Sequence, residues 1–392
     1  MTRLMKRVLL AGAGSLCLAA MMLGQGSGAP PGHQLDGKRL FEDATFGGNR
    51  RTCATCHAGN TLTLSPEDVQ KRFKKNPDDV LFIHDGSDDG LGGGTARIQK
   101  DATILIRIPL PDNVSIQGST DRFVVLRRGI PTLQNTPALD PMLMLDGRQP
   151  SLQEQAAGAI HDHAQAARPP DSDLDAVAEF QKTNAFYSSP DMRRFALGGP
   201  APGMPAGNTD SEKRGRRFFE DVPPDPAQGF KPGLCAHCHS GPLLNQTNQF
   251  AKDFIGIPTI PAGLRFISVG VSEFDDLGNP KRTFIFDKGL PWETSIVDTP
   301  DPGRALITGN SGVKHLFESG FTDPVEILAN QNAFKISQLR GIRNTAPYFH
   351  DNSAKTLEAV AAHYAKFFFA VAGITLTDQD QKDIVAFMKL LD

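Results

Sequence analysis

Two copies of a five-residue pattern, Cys-x-x-Cys-His, carry the clearest chemical meaning in this sequence. One copy runs from Cys53 to His57, and the other from Cys235 to His239. In this pattern the two thiols add to the vinyl groups of a haem, and the adjacent imidazole becomes an axial ligand of the iron. A four-cysteine zinc ribbon is the alternative, but its cysteine pairs normally lie close together, whereas these lie about 180 residues apart. The sequence therefore predicts two covalently bound haem c groups, with thioether anchors and iron ligands at Cys53, Cys56, His57, Cys235, Cys238 and His239.

The first 29 residues have the order of residues typical of a secretory signal peptide. Basic residues at Arg3, Lys6 and Arg7 precede an apolar run over 8–23, and small residues end the segment. The run is shorter than the roughly 20 residues that a membrane-spanning helix needs. Cys17 lies inside the run and is assigned no role. The pattern predicts export to the periplasm, where haem is attached, and no membrane span after cleavage of the signal.

The composition sets limits on the class of protein. Hydrophobic residues make up 39% of the 392 residues and the formal net charge is −3, which gives no bias towards nucleic acid or anionic membranes. The length predicts about two domains of ordinary size. The 38 glycines and 29 prolines indicate long loops, as expected where haem fills much of the interior.

The chain contains an internal repeat. Residues 37–43 (GKRLFED) match residues 215–221 (GRRFFED) in type, and each stretch precedes one Cys-x-x-Cys-His pattern. Each half also ends in a helical pattern, over 174–181 and over 384–391, the second with Thr377 as its expected N-cap. A helix before the haem and a helix after it is the minimal plan of a cytochrome c. The predicted fold class is therefore mainly α, with two tandem cytochrome c-like domains and loop-rich, partly β insertions.

The repeat also predicts the domain boundaries. A segment rich in Gly and Pro separates the halves and has the composition of a linker. The predicted divisions are a signal peptide at 1–29, an N-terminal haem domain at 30–196, the linker at 197–209 and a C-terminal haem domain at 210–392.

The insertions carry runs of residues that are typical of strands. These runs lie at 102–110, 122–127, 264–271 and 282–286. Within the first insertion, residues 85–90 begin like a calcium-binding loop. The acidic residue that such a loop needs at its twelfth position is replaced by Ala96, so the pattern favours a glycine-rich turn.

Several longer motifs resemble those of the bacterial di-haem cytochrome c peroxidases and of their relative MauG, which oxidises a partner protein. These motifs lie at 131–135 (PTLQN), 146–148 (DGR), 151–156 (SLQEQA), 334–340 (FKISQLR) and 345–351 (TAPYFHD). The resemblance covers most of the chain after the signal segment. It implies that the N-terminal haem binds hydrogen peroxide. It also implies that the C-terminal haem receives electrons from a small donor such as a cytochrome c or a cupredoxin.

The same resemblance implies a second ligand for the C-terminal iron. In that family this ligand, Met or Tyr, follows the threonine of the TAPY motif by 19 residues, a position that Tyr364 occupies here. From the residues alone, Tyr364 shares a helical face with Leu357 and Val360, which is the pattern of a core aromatic residue. His363 points about 100° away on a helix but is intrinsically the better iron ligand. Tyr364 is the preferred ligand and His363 the competitor.

Two positions depart from the family pattern. The family has a Trp immediately before Asp-Gly-Arg and a catalytic Glu 20 residues later, and these positions are Leu145 and Gln165 here. Glutamine can hydrogen-bond a bound peroxide but cannot carry its proton. His161 and His163 are candidates to take over acid–base catalysis or to bind the iron, and His161 is expected to share a helical face with Gln165. Two surface histidines on an amphipathic helix are the alternative.

The family's calcium site between the domains matches only in part. Thr345 and Pro347 fit the pattern, whereas Gly129 stands near the position of the expected asparagine. The sequence therefore leaves calcium binding open.

The leading interpretation is a periplasmic di-haem peroxidase that reduces hydrogen peroxide with electrons from a small donor. Its candidate catalytic residues are Gln165, His161 and His163. The first alternative is an electron-transfer cytochrome without peroxidase turnover, which Leu145 and Gln165 favour. The second is a MauG-like enzyme that oxidises a protein partner, which Tyr364 favours.

Overall fold

The computed structural model describes residues 31–274, 278–287, 289, 294–313 and 324–392. The predicted signal peptide at 1–29 lies outside the described residues. Within the described part of the chain, no helix combines the length and the apolar character needed to cross a membrane.

Helices and short strands alternate along the described chain. The helices are α1 (Pro31–Glu42), α2 (Cys53–Cys56), α3 (Pro66–Lys75), α4 (Ala96–Asp101), α5 (Thr136–Leu139), α6 (Leu152–Ala164), α7 (Asp171–Phe180), α8 (Pro190–Ala196), α9 (Asp210–Arg216), α10 (Ala251–Ile255), α11 (Val271–Phe274), α12 (Ala305–Thr308), α13 (Pro324–Asn330), α14 (Leu357–Ala372) and α15 (Asp378–Met388). The strands are β1 (Thr103–Pro109), β2 (Val114–Ile116), β3 (Phe123–Gly129), β4 (Phe266–Ile267), β5 (Arg282–Phe286), β6 (Ser295–Thr299) and β7 (Phe334–Lys335). The expectation of a mainly α fold is met only loosely, because the regular structure is mixed and the helices are accompanied by three small antiparallel sheets among the described residues.

The internal repeat appears in the structure as two equivalent helix pairs. Helix α1 packs on α7 in the first half, and α9 packs on α15 in the second. A glycine at the first position of each repeat makes the contact, since a Cβ on Gly37 would overlap the carbonyl oxygen of Ala176, and one on Gly215 that of Asp383. The two halves therefore share the helix before and the helix after the Cys-x-x-Cys-His turn that the repeat predicts.

Replacing Gly215 by alanine is expected to destabilise the protein by about 2–3 kcal/mol, because the new methyl group would force α9 away from the backbone of α15. Gly37→Ala should have the same effect in the first half. Gly203→Ala is the control, since an added Cβ there meets no atom within 4 Å. Denaturant unfolding of the haem-loaded protein measures the change. Equal midpoints for Gly215→Ala and Gly203→Ala would contradict the close helix packing.

The predicted insertions form a sheet and a core that both halves share. Strands β1 and β3 form an antiparallel pair, as their sequences predict. Strand β2 of the first half, however, pairs with β5 of the second, and β6 completes this three-stranded sheet. Ile108 and Leu126 are buried in one core with Phe284 and Phe286. The two halves are therefore joined by a common core, which the separate domain boundaries do not anticipate.

The predicted strand over 264–271 is mostly wrong. Only Phe266–Ile267 is a strand, pairing with β7. Gly270 then takes a positive φ of 76°, which ends extended structure, and α11 begins at Val271.

A buried charge network joins β3 to the Asp-Gly-Arg motif and to the segment after β6. Arg128, 1% exposed, donates from Nε and Nη2 to Asp301 at 2.8 and 2.9 Å. Its Nη1 pairs with Asp146, which also accepts from Arg148 at 2.8 Å. Burial alone would lower the pKa of Arg128, but the charges of Asp301 and Asp146 outweigh it and raise the pKa. Arg128 therefore stays charged, and the network holds three segments together.

Candidate haem sites

Each Cys-x-x-Cys-His segment lines its own large cavity. The cysteines and the histidine of residues 53–57 line the N-terminal cavity, which has an empty volume of about 1270 Å³. Those of residues 235–239 line the C-terminal cavity, which has an empty volume of about 1830 Å³. Each cavity therefore places the two cysteines and the histidine of one motif around the same empty space, as a prosthetic group attached at that motif requires.

The two motif histidines are held in the same way. Nδ1 of His57 donates to the Leu62 carbonyl at 2.9 Å, and Nδ1 of His239 donates to the Leu244 carbonyl at 2.8 Å. Both leucines take the left-handed conformation, with φ of 52° and 55°. Because a carbonyl only accepts, Nδ1 carries the hydrogen and the lone pair of Nε2 is left for the cavity. The second partner of each ring thus fixes the orientation that an iron ligand requires.

The protonation states of the two motif histidines and of the motif cysteines are compatible with iron ligation and with covalent attachment of haem. Burial lowers the pKa of His57 to about 4, although its bond to Leu62 raises it, and burial also lowers the pKa of His239. Both imidazoles are therefore neutral at pH 7, as metal binding requires. Among the described residues the four cysteines form no disulfide. Burial raises the pKa of Cys53 and Cys238 to about 12. The residues present therefore fit a covalently bound haem in each cavity.

One face of α6 forms a wall of the N-terminal cavity. The residues of this face are Leu152, Gln155, Ala156, Ala159, Ile160, His163 and Ala164. Their spacing is that of a single helical stripe. His163 belongs to the stripe, and its Nδ1 lies 2.5 Å from Oδ2 of Asp85. His163 also contributes to the lowered pKa of His57, so the two rings lie within electrostatic reach of each other.

The other two predicted catalytic residues lie outside this wall. His161 is on the opposite side of α6, where its side chain is 78% exposed and its Nδ1 pairs with Asp162 at 2.7 Å. Helix α6 ends at Ala164, and Gln165 caps it in the left-handed conformation, with φ of 54° and an exposed side chain that accepts from Asn49 at 3.3 Å. The expected shared face of His161 and Gln165 is therefore wrong. Of the three candidates, the structure brings only His163 to the cavity.

The segment that resembles a calcium loop is held as a turn by its own carboxylates. Asp89 accepts from the backbone amides of residues 91–93, and these bonds lower its pKa to about 2. Asp88 accepts from the amides of Ala96 and Arg97. The remaining carboxylate, Asp85, leaves the turn and contacts His163. The sequence shows Asp85 only as part of the turn, and nothing in the local pattern indicates its distant partner.

The C-terminal cavity contains Tyr364 in its wall, whereas His363 is not among the residues that line it. Nε2 of His363 donates to the Val269 carbonyl at 2.8 Å. Burial is the main cause that raises the pKa of Tyr364, and the nearby thiols of Cys238 and Cys235 raise it further. Tyr364 thus lies within electrostatic reach of the haem-binding cysteines. Its ligation of the iron remains a prediction, with a geometry that favours it over His363.

Replacing Tyr364 by phenylalanine is expected to change the electron paramagnetic resonance spectrum of the C-terminal iron, because it removes the phenol oxygen that is predicted to bind that iron. Tyr348→Phe is the matched control: Tyr348 lines the same cavity, but its hydroxyl donates to the Ile342 carbonyl at 2.8 Å. Identical spectra for the wild type and Tyr364→Phe, with a changed spectrum in His363→Gln, would assign the ligand to His363 instead.

A single layer of residues separates the two cavities. The residues that line both are Gly129, Ile130, Pro131, Thr132, Thr136, Leu145 and Lys335. The amide of Lys335 donates to the carbonyl of Leu145 at 2.7 Å. Nζ of Lys335 pairs with Asp140 at 3.1 Å, and burial lowers the pKa of this lysine against the opposing charge of Asp140. Leu145, which stands where the family has a Trp, therefore lies in the wall between the cavities.

The space beside Gly129 is filled by another side chain. A Cβ on Gly129 would overlap Oδ1 of Asn352, whose Nδ2 donates to the carbonyls of Asp101 and Ala102 at 2.9 and 3.1 Å. Among the described residues, no group of three or more His, Cys, Asp or Glu side chains is arranged to hold a metal ion. Calcium binding through Thr345 and Pro347 thus remains an untested expectation.

Comparisons with known proteins show similarity to di-haem cytochrome c peroxidases and to MauG. Residues 34–190 match the family model of the di-haem cytochrome c peroxidases. MauG of Methylorubrum extorquens is 27% identical over 165 residues, which are 33% of this chain and 45% of that protein. The cytochrome-c peroxidase IdrP2 of a Pseudomonas species is 25% identical over 402 residues, 97% of this chain and 86% of that protein. The cytochrome c551 peroxidase of Nitrosomonas europaea is 29% identical over 166 residues, 41% of this chain and 31% of that protein.

Solved structures give weaker similarities. A MauG-like protein associated with microbial copper homeostasis aligns with a TM-score of 0.47 at 20% identity, over 92% of this chain and 88% of that one. The di-haem peroxidase BthA of Burkholderia thailandensis aligns with a TM-score of 0.47 at 14% identity, over 92% of this chain and 86% of that one. The chain spans less than half the length of MauG and of the c551 peroxidase, and most of the length of IdrP2. By its family match over residues 34–190 and its named relatives, this chain is similar to the di-haem cytochrome c peroxidases and to MauG.

Proposed function

We propose that the protein is an exported, periplasmic di-haem oxidoreductase that reduces hydrogen peroxide at the N-terminal cavity with electrons that enter at the C-terminal cavity. The observation that carries the proposal is the pair of equivalent histidines, His57 and His239, each oriented by a leucine carbonyl in a cavity that shares a wall with the other. The named peroxidases among the relatives support an oxidoreductase of the peroxidase type. Export rests on the signal peptide that the sequence predicts.

The chain supplies the attachment points for both groups. Cys53, Cys56 and His57 would hold one haem, and residues 235–239 the other, with Tyr364 as a second ligand of the C-terminal iron. When bound, haem supplies the redox chemistry, and the surrounding ligands and polar groups select between electron transfer and peroxide activation.

His163 is the residue placed to handle protons in the N-terminal cavity. Its Nδ1 is held by Asp85, so Nε2 faces the cavity with a lone pair. Nε2 would take a proton from one oxygen of hydrogen peroxide and return it to the oxygen that leaves as water. Two electrons and two further protons complete the reduction of one peroxide to two waters. Gln155, on the same helical stripe, offers an amide that can hydrogen-bond the peroxide.

Electrons would enter the C-terminal cavity from a small carrier such as a cytochrome c or a cupredoxin. They would then cross the shared wall that contains Leu145 and Lys335. Position 145 holds a leucine and not an aromatic residue. The direct link across the wall at this point is the backbone hydrogen bond from Lys335 to Leu145.

We expect the mature protein to contain two covalently attached haems, because all four cysteines outside the signal segment lie in haem motifs at matching cavities. Acid–acetone extraction should leave the colour on the polypeptide, with two haems per chain by pyridine haemochrome assay. A ratio near one would contradict the equivalence of the two sites, and extractable haem would contradict covalent attachment.

The experiment that tests the proposed function is peroxide-dependent oxidation of a reduced small cytochrome c by the haem-loaded protein. Turnover, together with a high-spin iron signal from the N-terminal site, supports the peroxidase. Absence of turnover, together with two low-spin irons that peroxide leaves unchanged, would instead support a di-haem electron-transfer cytochrome.

A MauG-like enzyme that oxidises a protein partner is the second candidate, and Tyr364 in the wall of the C-terminal cavity is the observation that favours it. This reaction would consume peroxide without a reduced carrier and would leave an oxidised side chain on the partner. Peroxide consumption that depends strictly on the reduced carrier would count against it.

A further inference from the structure

We propose that Asp85 and Arg51 are positioning residues that fix the tautomer and the direction of the His163 imidazole at the N-terminal cavity. The proposal rests on the proposed function, in which His163 handles the protons of the peroxide. It assigns a role to Arg51, which no sequence motif singles out, and to Asp85, which the sequence shows only as part of a turn.

The contact between Asp85 and His163 determines which ring nitrogen carries the hydrogen. Oδ2 of Asp85 lies 2.5 Å from Nδ1 of His163, and the two residues are 78 positions apart in the chain. A carboxylate only accepts, so Nδ1 donates, and in the neutral ring Nε2 then keeps its lone pair. Because His163 lies on the stripe of α6 that lines the cavity, this lone pair is available to a ligand there.

Arg51 holds Asp85 in place from the other side. Its Nη1 pairs with Oδ1 of Asp85, and the arginine side chain is only 2% exposed. The rest of the guanidinium is taken up by carbonyls of the same turn: Nε donates to Val80 at 2.8 Å, and Nη2 donates to Leu81 at 2.9 Å and to Ile83 at 2.5 Å. The turn therefore wraps around the arginine and is fixed by it.

Gly86 allows this turn to close. A Cβ at this position would overlap the carbonyl oxygen of Leu81 and lie 2.7 Å from Nη2 of Arg51. The tight approach sets the direction in which the neighbouring Asp85 projects. Burial opposes ionisation of Asp85, but the hydrogen bonds from His163 and Arg51 and the charge of the guanidinium outweigh it, so its pKa stays below the usual value.

Helix α6 carries a second pair of the same chemistry that provides a matched control. Nδ1 of His161 pairs with Asp162 at 2.7 Å, with side chains 78% and 49% exposed. Among the described residues no arginine hydrogen-bonds to Asp162, and His161 does not line the cavity. Both pairs join an imidazole Nδ1 to a carboxylate. They differ in burial and in the arginine that also binds Asp85.

The test measures how fast cyanide binds to the haem-loaded protein, followed by absorbance in a stopped-flow instrument. Hydrogen cyanide must lose its proton to bind as the anion, and Nε2 of His163 is the group placed to take it. In Asp85→Asn the new amide can donate to Nδ1, which would move the ring hydrogen to Nε2. We expect Asp85→Asn and His163→Gln to slow binding by about 10- to 100-fold, and Asp162→Asn to leave it unchanged.

A double variant adds a readout that a purely structural role would not produce. If Asp85 acts through His163, Asp85→Asn should slow cyanide binding no further in the His163→Gln background. A wild-type rate for Asp85→Asn beside a slow His163→Gln overturns the positioning role and leaves the proposed function standing. Slow binding in both variants without peroxide turnover by the wild type supports the positioning role and overturns the proposed function.

Two further outcomes are informative. A low-spin N-terminal iron that becomes high-spin in His163→Gln would show that His163 binds the iron, and it would overturn the proposal. If Asp85→Asn fails to load both haems, Arg51→Lys is measured instead, because it keeps the charge but loses the bonds to the carbonyls. It should slow cyanide binding, and a wild-type rate in this variant overturns the role of Arg51.

Discussion

Replacing His163 by alanine is expected to lower kcat/KM for hydrogen peroxide by about 10²- to 10⁴-fold, the usual effect of losing one acid–base group. His163 is the one predicted catalytic candidate that lines the N-terminal cavity, where Asp85 holds its Nδ1 at 2.5 Å. Steady-state oxidation of reduced cytochrome c at varied peroxide concentration measures the change. The iron content and spin state of the variant should match the wild type, since the substitution removes no ligand.

The same assay separates His163 from the exposed His161. A larger loss in His161→Ala than in His163→Ala would contradict our placement of the site and favour the surface histidine. Gln165→Glu tests the family's carboxylate position directly. Because the Gln165 side chain is exposed beyond the end of α6, a large gain in this variant would show that the segment after α6 reaches the cavity during turnover.

Replacing Asp301 by alanine is expected to lower the free energy of unfolding by about 3–5 kcal/mol, because the buried positive charge of Arg128 loses one of its two carboxylate partners. Asp301 accepts two bonds from Arg128, and both side chains are only 1% exposed. Guanidinium denaturation of the haem-loaded protein measures the loss.

An exposed ion pair provides the control for this network. Asp191 and Arg194 are paired on α8 with both side chains more than half exposed, so Asp191→Ala should have a small effect by comparison. Adding Arg128→Met to Asp301→Ala removes the unpaired charge and should recover part of the stability. Equal unfolding midpoints for Asp301→Ala and Asp191→Ala would show that the network does not stabilise the fold.

Local patterns predicted much of the fold. The strands at 102–110 and 122–127 appear as β1 and β3, since alternating apolar residues there face one core. Thr377 caps α15 with a full capping box, as the spacing of Thr and Asp indicates. The match of residues 37–43 with 215–221 predicts the duplication, and the structure shows that the first glycine of each stretch allows two helices to touch.

The failures have a common physical origin, because each depends on contacts that no local pattern contains. The helical periodicity predicts that α6 includes Gln165. The helix ends at Ala164, and Gln165 is its left-handed cap, with an exposed side chain. The partner of Asp85 lies 78 positions away. Strands β2 and β6 were not predicted at all, and β2 is too short to show a pattern without β5 beside it.

The pairing of β2 with β5 also affects how the chain can be made. Among the described residues β2 has β5 as its neighbour in the sheet, and the two strands lie about 170 residues apart in sequence. A chain that emerges N-terminus first would therefore present residues 53–57 while β2 still has an unpaired edge. Such contacts between distant segments form slowly, and unpaired edges invite wrong partners. Until residues 282–286 follow, the apolar surface that Phe284 and Phe286 later cover stays open. Closure of the shared core thus waits for the second half of the chain, and newly made chains would need protection from aggregation during this interval.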